Sequence, residues 1–336
     1  MNTQSGISVI IAVHNSAGML DACLLALSKS TLAPLECLVV DDASTDDTEA
    51  VAERHGARLI VLDQRSGPAR ARNLGALQAR GDVLLFMDAD VCLHDDAMAR
   101  IMDHLRQDSS LDAVIGAYDD APAAAGFVSQ YRNLLHCFTH RAGRRDASTF
   151  WSGCGAIRKE VFSRHGGFDL RYTRPAIEDV EFGVRLKAAG GRISLDPAIQ
   201  AQHLKCWTFA GMLKTDVFDR AIPWTLMSLR ARSMPNDLAV RLSQRLSVLL
   251  TFLMIATMWL ESAAVAIGCA AFFLVLNRSF YGFLSARHGI LFAMRAVPLH
   301  LLFYFYSGVG FLLGAALHLV STKQAPLSQV HGEEAP

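Results

Sequence analysis

"LLFMDADVCL", residues 84–93, is an apolar run that ends in two carboxylates, Asp88 and Asp90, one alanine apart. Carboxylates are ordinarily scattered over a solvated surface, so two at the tip of a buried strand ask for a reason. Upstream, the near-continuous β-branched run "ISVIIAV" (7–13) reads as a strand covered on both faces. "HNSAG" breaks it, and residues 19–28 carry apolar side chains at helical spacing. "LECLVV" (35–40) predicts a second strand, "DDASTDD" a polar turn, and 48–55 a helix. A third strand at 58–62, a helix at 68–79 and a fourth strand at 83–87 continue the alternation. Strands and helices alternating over short connections predict an α/β fold with a doubly wound, mostly parallel sheet. Ligands of such sheets bind outside the carboxyl ends of the strands. His14 and Asn15, Asp41 and Asp42, and Asp88 and Asp90 each follow a strand, so all six are expected to converge.

The chain has 336 residues, with 32 Lys plus Arg against 32 Asp plus Glu. That balance argues against nucleic acid or a polyanion as partner. Apolar residues make up 51 %, and the excess is local, because charges become rare after about residue 245. Seven cysteines without a CxxC pair, several inside apolar runs, fit reduced buried thiols and a cytosolic catalytic part. The run at 7–13 is too short for a signal peptide and has no basic segment before it. The expected organisation is a catalytic domain at 1–210, an amphipathic interfacial linker at 211–245, a membrane region at 246–322 and a polar tail at 323–336.

Asp88-Ala89-Asp90 lets two carboxylates reach one small volume at a strand end. One or two carboxylates, with waters and phosphate oxygens filling the remaining positions, are how Mg²⁺ is usually held. Capping of the following helix is the alternative for the same two residues. "ISVIIAVHN", "CLVVDDASTDDT", "GPARARNLGAL", "GDVLLFMDADV" and "IEDVEFGVRLKAAG" occur in this order over about residues 6–210 and together resemble the family 2 glycosyltransferases, which have the GT-A fold. The resemblance implies an inverting transferase that uses a nucleotide-sugar donor and Mg²⁺ or Mn²⁺. It places Asp42, with Asp41 beside it, at the nucleobase, Asp88 near ribose and metal, and Asp90 on the metal. Ala12, His14, Asn15, Asn73 and Ala89 fall in the same motifs as donor contacts. Many members have Pro and Tyr where this chain has Ala12 and His14; an imidazole can also stack on a base, and the base itself stays open. Pro68 opens a helix that carries Arg70 and Arg72 close to the diphosphate, a place that suits arginines and helix N-termini.

Inverting transfer is a single displacement and needs a base for the acceptor hydroxyl. In "PAIEDVEFGVRLKAAG" Glu178 and Asp179 fall in the first turn of a helix that Gly190-Gly191 ends. The family pattern makes Asp179 the base and Glu178 an acceptor or supporting contact; helix-dipole complementarity is the plainer reading. Gly153 and Gly155 allow close approach of a sugar, on which Trp151 could stack. In "QAQHLKCWTF" His203, Lys205 and Trp207 alternate, so an extended segment puts them on one face. Resemblance to related transferases sets His203 near the metal, Lys205 on phosphate and Trp207 against the acceptor. The Gln-x-x-Arg-Trp signature of processive synthases is missing, which points to a non-processive enzyme.

Three apolar runs, 246–260, 262–277 and 297–320, predict about three C-terminal membrane segments. Arginines before the first run (230, 232, 241, 245) and between the second and third (278, 287, 295) favour a hairpin followed by one crossing, with the catalytic domain cytoplasmic. A transferase pressed against lipid implies a lipid or lipid-linked acceptor. A nucleotidyltransferase is the rival enzyme class, but "AVHNSAG" offers no lysine for a phosphate loop. A degenerate glycan-binding membrane protein is the other rival, and the intact set Asp42, Asp88, Asp90 and Asp179 speaks against decay.

Overall fold

The computed structural model describes residues 4–231, 241–259 and 262–324. Arg232 and Leu260, and nearly all of the polar tail, lie outside the described residues. β1 (Gln4–Val13), α1 (Ala17–Leu27), β2 (Glu36–Asp41), α2 (Thr48–Arg54), β3 (Arg58–Val61), α3 (Pro68–Gln78) and β4 (Gly81–Asp88) follow in the predicted alternation. β5 (Val91–Leu93), α4 (Ala97–Gln107), β6 (Ala113–Tyr118), α5 (Phe127–Arg141), β7 (Cys154–Arg158), α6 (Lys159–Arg164), α7 (Glu178–Ala188) and β8 (Ile193–His203) complete one eight-stranded sheet.

The strand order is β3-β2-β1-β4-β7-β6-β8-β5. β3, β2, β1 and β4 are parallel, β6 and β8 are parallel, and β7 and β5 run against their neighbours. Val9, Ile10 and Ile11 on β1 are all fully buried, and successive side chains feed the two opposite core layers. That is why an unbroken apolar run, not an alternating one, specifies a central strand. Register places Ala12 beside Asp88 and Val13 beside Asp41, so the chain reversals after β1, β2 and β4 meet on one edge.

Beyond the sheet come α8 (Phe209–Lys214), a π-helical stretch (Thr215–Ala221), α9 (Ile222–Ala231), α10 (Leu242–Trp259), α11 (Ala263–Leu276), α12 (Arg278–His288) and α13 (Ile290–Gln324). α10 and α11 form an antiparallel hairpin whose open end is pinned where Asn277 Nδ2 donates to Ser247 Oγ at 2.9 Å. Tyr304 of α13 donates to Asn277 Oδ1 at 3.1 Å. α12 and the start of α13 dock on the catalytic domain: Phe280, Leu284, Ala296 and Leu299 share a core with Tyr131 and Leu134 of α5. Arg287 and Arg141 both pair with Asp120.

Among the described residues one helix is long and apolar enough to cross a membrane, Ile290–Val320 within α13. It begins seven residues before the expected third segment, at 290 instead of 297, because residues 290–296 continue the helix. Arg295, expected in a connecting segment, lies within α13 with its guanidinium over the Phe127 ring, 4.6 Å from the centroid. α11 bends by 64° into α12, and its 14 residues rise only about 21 Å, short of the ~30 Å hydrocarbon core. Leu249, Leu253, Val265, Ile267, Leu312 and Leu319 are exposed on α10, α11 and α13.

Candidate active site

A cavity of about 820 Å³ lies outside the carboxyl ends of β1, β2 and β4 and extends to the C-terminal helices. Ala12, His14, Asp42, Asp88, Ala89 and Asp90 line it from the sheet. Asp42 accepts the Ser66 N–H at 2.6 Å on one oxygen and the Gly67 N–H at 2.8 Å on the other. This clasp requires the loop to pass close by. Gly67 has φ +91°, and a Cβ there would sit 2.4 Å from the Thr173 carbonyl oxygen, so only glycine fits the position. His14 Nδ1 donates to the Asp42 carbonyl at 2.8 Å, which turns the imidazole toward the cavity mouth.

Arg72 links the acidic strand end to α7. Its Nη2 donates to Asp88 Oδ1 at 2.6 Å and its Nη1 to Glu178 Oε1 at 2.7 Å, with the side chain 6 % exposed. Burial works against its charge, but Asp88 and Glu178 more than offset this and hold the guanidinium protonated. Glu178 also accepts the Ala176 N–H at 3.0 Å, so both of its oxygens are engaged. Asp179 differs. One oxygen accepts the Ser152 N–H at 2.9 Å and the Ser152 hydroxyl at 3.0 Å, and the other accepts the Val180 N–H at 2.8 Å. Burial and the neighbouring Glu178 charge push its carboxyl up to about 6, in the range useful to a base at neutral pH.

On the opposite wall His203 Nε2 stands 3.4 Å from Asp90 Oδ2. His203 Nδ1 and Trp207 Nε1 both lie within hydrogen-bond distance of Asn133 Oδ1, at 2.8 and 3.0 Å. An indole nitrogen only donates, so Asn133 presents its oxygen, and His203 must donate from Nδ1. Nε2 is therefore the ring nitrogen left to face Asp90, and the one that a metal ion held there would use. Tyr118 stacks on His203 with centroids 4.3 Å apart. Burial opposes ionisation of Asp90, yet His203 and the Lys205 charge outweigh it and hold the carboxyl below its usual range. Among the described residues no three His, Cys, Asp or Glu side chains form a ready-made metal cluster. A site of one or two carboxylates completed by phosphate oxygens fits this arrangement.

Several expected placements need correction. Asp41 is fully buried and accepts from the Ser44 backbone and hydroxyl, so it shapes the turn instead of facing the cavity. Asn15, at φ +48°, accepts the Thr45 N–H at 2.7 Å and closes the same turn. Arg70 points to solvent two positions before the buried Arg72. Asn73 bonds both the N–H and the carbonyl of Phe168 and anchors the loop before α7. None of these four lines the cavity. Gly153 does not either: a Cβ there would meet the Trp151 indole at 2.7 Å, so it makes room for that ring. Trp151 lines the cavity, packed edge-on to Tyr118. β8 ends at His203, leaving Lys205 and Trp207 in coil. Both still line the cavity, the Lys205 ammonium 4.3 Å from the Trp207 ring centroid.

Sequence reasoning passed over Ser152, Tyr118 and a group on the helical side: Arg132, His136 and His140 of α5, Asp216 and Arg220 of the π-helical stretch, and Trp224 of α9. The signal was present in α5, where 132, 136 and 140 recur every four residues and share one face.

Residues 8–166 match the family model described as glycosyl transferase family 2. The chain is 24 % identical over 222 residues to a poly-β-1,6-N-acetyl-D-glucosamine synthase of Staphylococcus aureus, covering 63 % of this chain and 53 % of that protein. It is 26 % identical over 117 residues to the glycosyltransferase GlyG of Streptococcus pneumoniae, covering 33 % and 38 %. The chain thus spans about half the length, or less, of these curated relatives. A mannosyltransferase from Pyrobaculum calidifontis, solved with GDP-mannose and Mn²⁺, superposes with a TM-score of 0.52 at 18 % identity, over 96 % of this chain and 87 % of that one. GalNAc-T7, solved with UDP, GalNAc and Mn²⁺, gives 0.50 at 18 % identity over 68 % and 48 %. These likenesses show the fold to be of GT-A type, and residues 8–166 match a family 2 glycosyltransferase domain.

Proposed function

We propose that the enzyme transfers a sugar, with inversion, from a nucleotide-sugar donor to a lipid or lipid-linked acceptor at the cytoplasmic face of a membrane, one sugar per encounter. The observation that carries this reading is the single cavity that joins Asp88 and Asp90 to Asp179 and runs on to α10 and α13. Asp42 and His14 hold the nucleoside end. Asp90, the second oxygen of Asp88 and His203 Nε2 would hold Mg²⁺ or Mn²⁺, with Lys205 on the diphosphate. When bound, such an ion supplies the positive charge that neutralises a departing diphosphate. Asp179 takes the proton of the acceptor hydroxyl as its oxygen bonds to the anomeric carbon and the bond to the nucleoside diphosphate breaks. Ser152 orients Asp179, while Glu178, committed to Arg72 and Ala176, holds the loop before α7 in place. Trp151 and Trp207 offer faces for the acceptor.

For the membrane part, α13 is the crossing segment and the α10–α11 hairpin dips in and returns. Docking of α12 on α5 and positive-inside charge support a position of residues 278–289 on the catalytic side. An impermeant thiol reagent applied outside intact cells should fail to label Ala286→Cys; efficient labelling rejects this topology. The reaction itself is tested by incubating membranes that contain the protein with a panel of labelled nucleotide sugars, with and without chelator, and extracting lipid. Label entering the lipid fraction only without chelator is the expected result. Label in lipid at full rate with chelator overturns the metal, and label confined to water-soluble product overturns the lipid acceptor.

A further inference from the structure

The cavity has two halves of opposite charge. The sheet side carries Asp42, Asp88, Asp90, Glu178 and Asp179 against the buried Arg72. On the helix side Arg132 pairs with Asp216, and Arg220 Nη1 donates to His136 Nε2 at 2.7 Å while standing 3.7 Å from the same Asp216. Tyr306 of α13 also donates to Asp216, at 2.7 Å. One carboxylate therefore serves two guanidinium groups. Asp219 and Arg245 line the cavity as well and add one charge of each sign.

Among the described residues three buried polar atoms on this wall have no partner: Arg132 Nε, His140 Nδ1 and Trp224 Nε1. Arg132 is only 4 % exposed along its side chain, yet its Nε has no acceptor, and neither has Trp224 Nε1. Arg220 is packed deep among other groups, and its side chain stays 40 % exposed where it lines the cavity. Burial and the nearby Arg132 lower its pKa, with Asp216 only partly compensating. Burial and the two arginines hold His136 neutral, so it cannot supply an anion's counter-charge or compete with Arg220 for one. A half-buried, under-compensated guanidinium beside orphan N–H donors is a built anion site. The wall beyond it is apolar: Val248 of α10 and Phe303 and Phe311 of α13 continue the cavity, and Phe311 is exposed on the apolar surface of α13.

Resting on the glycosyltransferase reading above, we propose that Arg220 and Arg132 form a subsite for the phosphate of the acceptor, a phosphate-headed lipid whose apolar tail leaves between α10 and α13. Arg220 and Asp179 line the same cavity, so a phosphate held at Arg220 leaves the rest of the headgroup in the space that the base faces. The surplus positive charge selects a phosphate over a neutral alcohol, and the apolar exit selects a lipid over free phosphate.

The test uses the full chain in neutral detergent micelles and follows tryptophan emission, since Trp151, Trp207 and Trp224 line the cavity. Dodecyl phosphate, titrated as micellar mole fraction, should bind saturably and at least about tenfold more tightly than dodecanol. Inorganic phosphate at equal concentration should give no saturable change. Arg220→Gln should cut dodecyl phosphate affinity about tenfold and leave dodecanol unchanged, and Arg220→Lys should lie between. Thermal unfolding of both variants checks the fold, and the lysine variant carries the test if the glutamine variant unfolds. Equal affinity for phosphate and alcohol overturns the subsite, as does an unchanged affinity in the Arg220 variants. Binding of inorganic phosphate as tight as dodecyl phosphate overturns the lipid. UDP and GDP, each titrated with Mn²⁺, report the donor half separately. If neither binds wild type the donor reading fails, whereas a donor half that binds beside an unresponsive basic half sinks the subsite alone.

Discussion

The two halves of the cavity are built by opposite routes. On the sheet side Asp42, Asp88 and Asp90 sit where parallel strands end, each a few residues from a buried apolar run that fixes its position. Arg132, Asp216, Arg220 and Trp224 on the helix side come from α5, the π-helical stretch and α9, and meet through contacts of the π-helical stretch with α5 and α13. The first half is set by local sequence, the second by contacts between segments some 80 to 170 residues apart. Substitutions on the two sides should therefore fail differently: sheet-side changes should remove chemistry or donor binding, and helix-side changes should alter the acceptor.

The sharpest way to break this division is Asp90→Ala. Loss of the carboxylate beside His203 should remove metal-dependent donor binding and lower transfer by ~10³-fold or more, several kcal/mol of charge stabilisation. Titration of the nucleotide with Mn²⁺ and a single-turnover assay read both effects. Full activity there, or insensitivity to chelator, rules out the acidic half as a metal site.

Asp179→Asn should cost transfer on the order of 10²–10⁴-fold while donor affinity stays within about twofold, because Asp42, Asp88 and Asp90 are untouched. The wild-type rate should show the raised carboxyl directly. Its ordinary value of 3.8 is pushed up to about 6, and a base works only when ionised. Transfer should thus fall tenfold per pH unit below about 6 and level off above it, with that limb lost in Asp179→Asn. Stability has the opposite sign. A carboxyl whose folded pKa is raised favours folding at acid pH and loses that contribution as pH rises through 6. Above pH 6, Asp179→Asn should raise the melting temperature by an amount equivalent to no more than about 3 kcal/mol.

Arg72→Met should act on the fold. It leaves Asp88 and Glu178 without their shared counter-charge in a buried place, a loss of ~3–5 kcal/mol visible as a lower melting temperature. Arg72→Lys can reach one carboxylate at a time and should recover part of it. The smallest effect belongs to the neighbouring position. Arg70→Ala should change donor affinity and transfer less than about twofold, since an exposed single charge contributes little. A large effect at Arg70 with none at Arg72 would reverse the placement of the two arginines.

Much of the sheet side was legible beforehand. Unbroken apolar runs, short polar connections and helical spacing predicted β1 to β4 and α1 to α3 to within a few residues. The strand-end rule predicted that His14, Asp42, Asp88 and Asp90 face one space. The rule fails at Asn15 and Asp41, because residues at a strand end can also be spent on closing the turn, and proximity in sequence does not say which. The same limit separates Arg70 from Arg72: two residues apart on a helix, they point in directions about 200° apart, and only the packing of α3 on the sheet decides which one is inside.

Composition and periodicity alone determined a parallel-type sheet, an acidic edge and an apolar C-terminal part. These are properties of short stretches, in which burial on two faces or one stripe selects side chains over a few residues. Tertiary structure alone decided that Gly153 serves Trp151, that Glu178 is locked by Arg72 while Asp179 is lifted toward neutrality, and that Arg220 and Arg132 share one carboxylate. Each of these depends on which distant groups crowd a given atom and exclude water from it. Desolvation and charge pairing act through space over a few ångströms, and the order of residues along the chain carries no record of that distance.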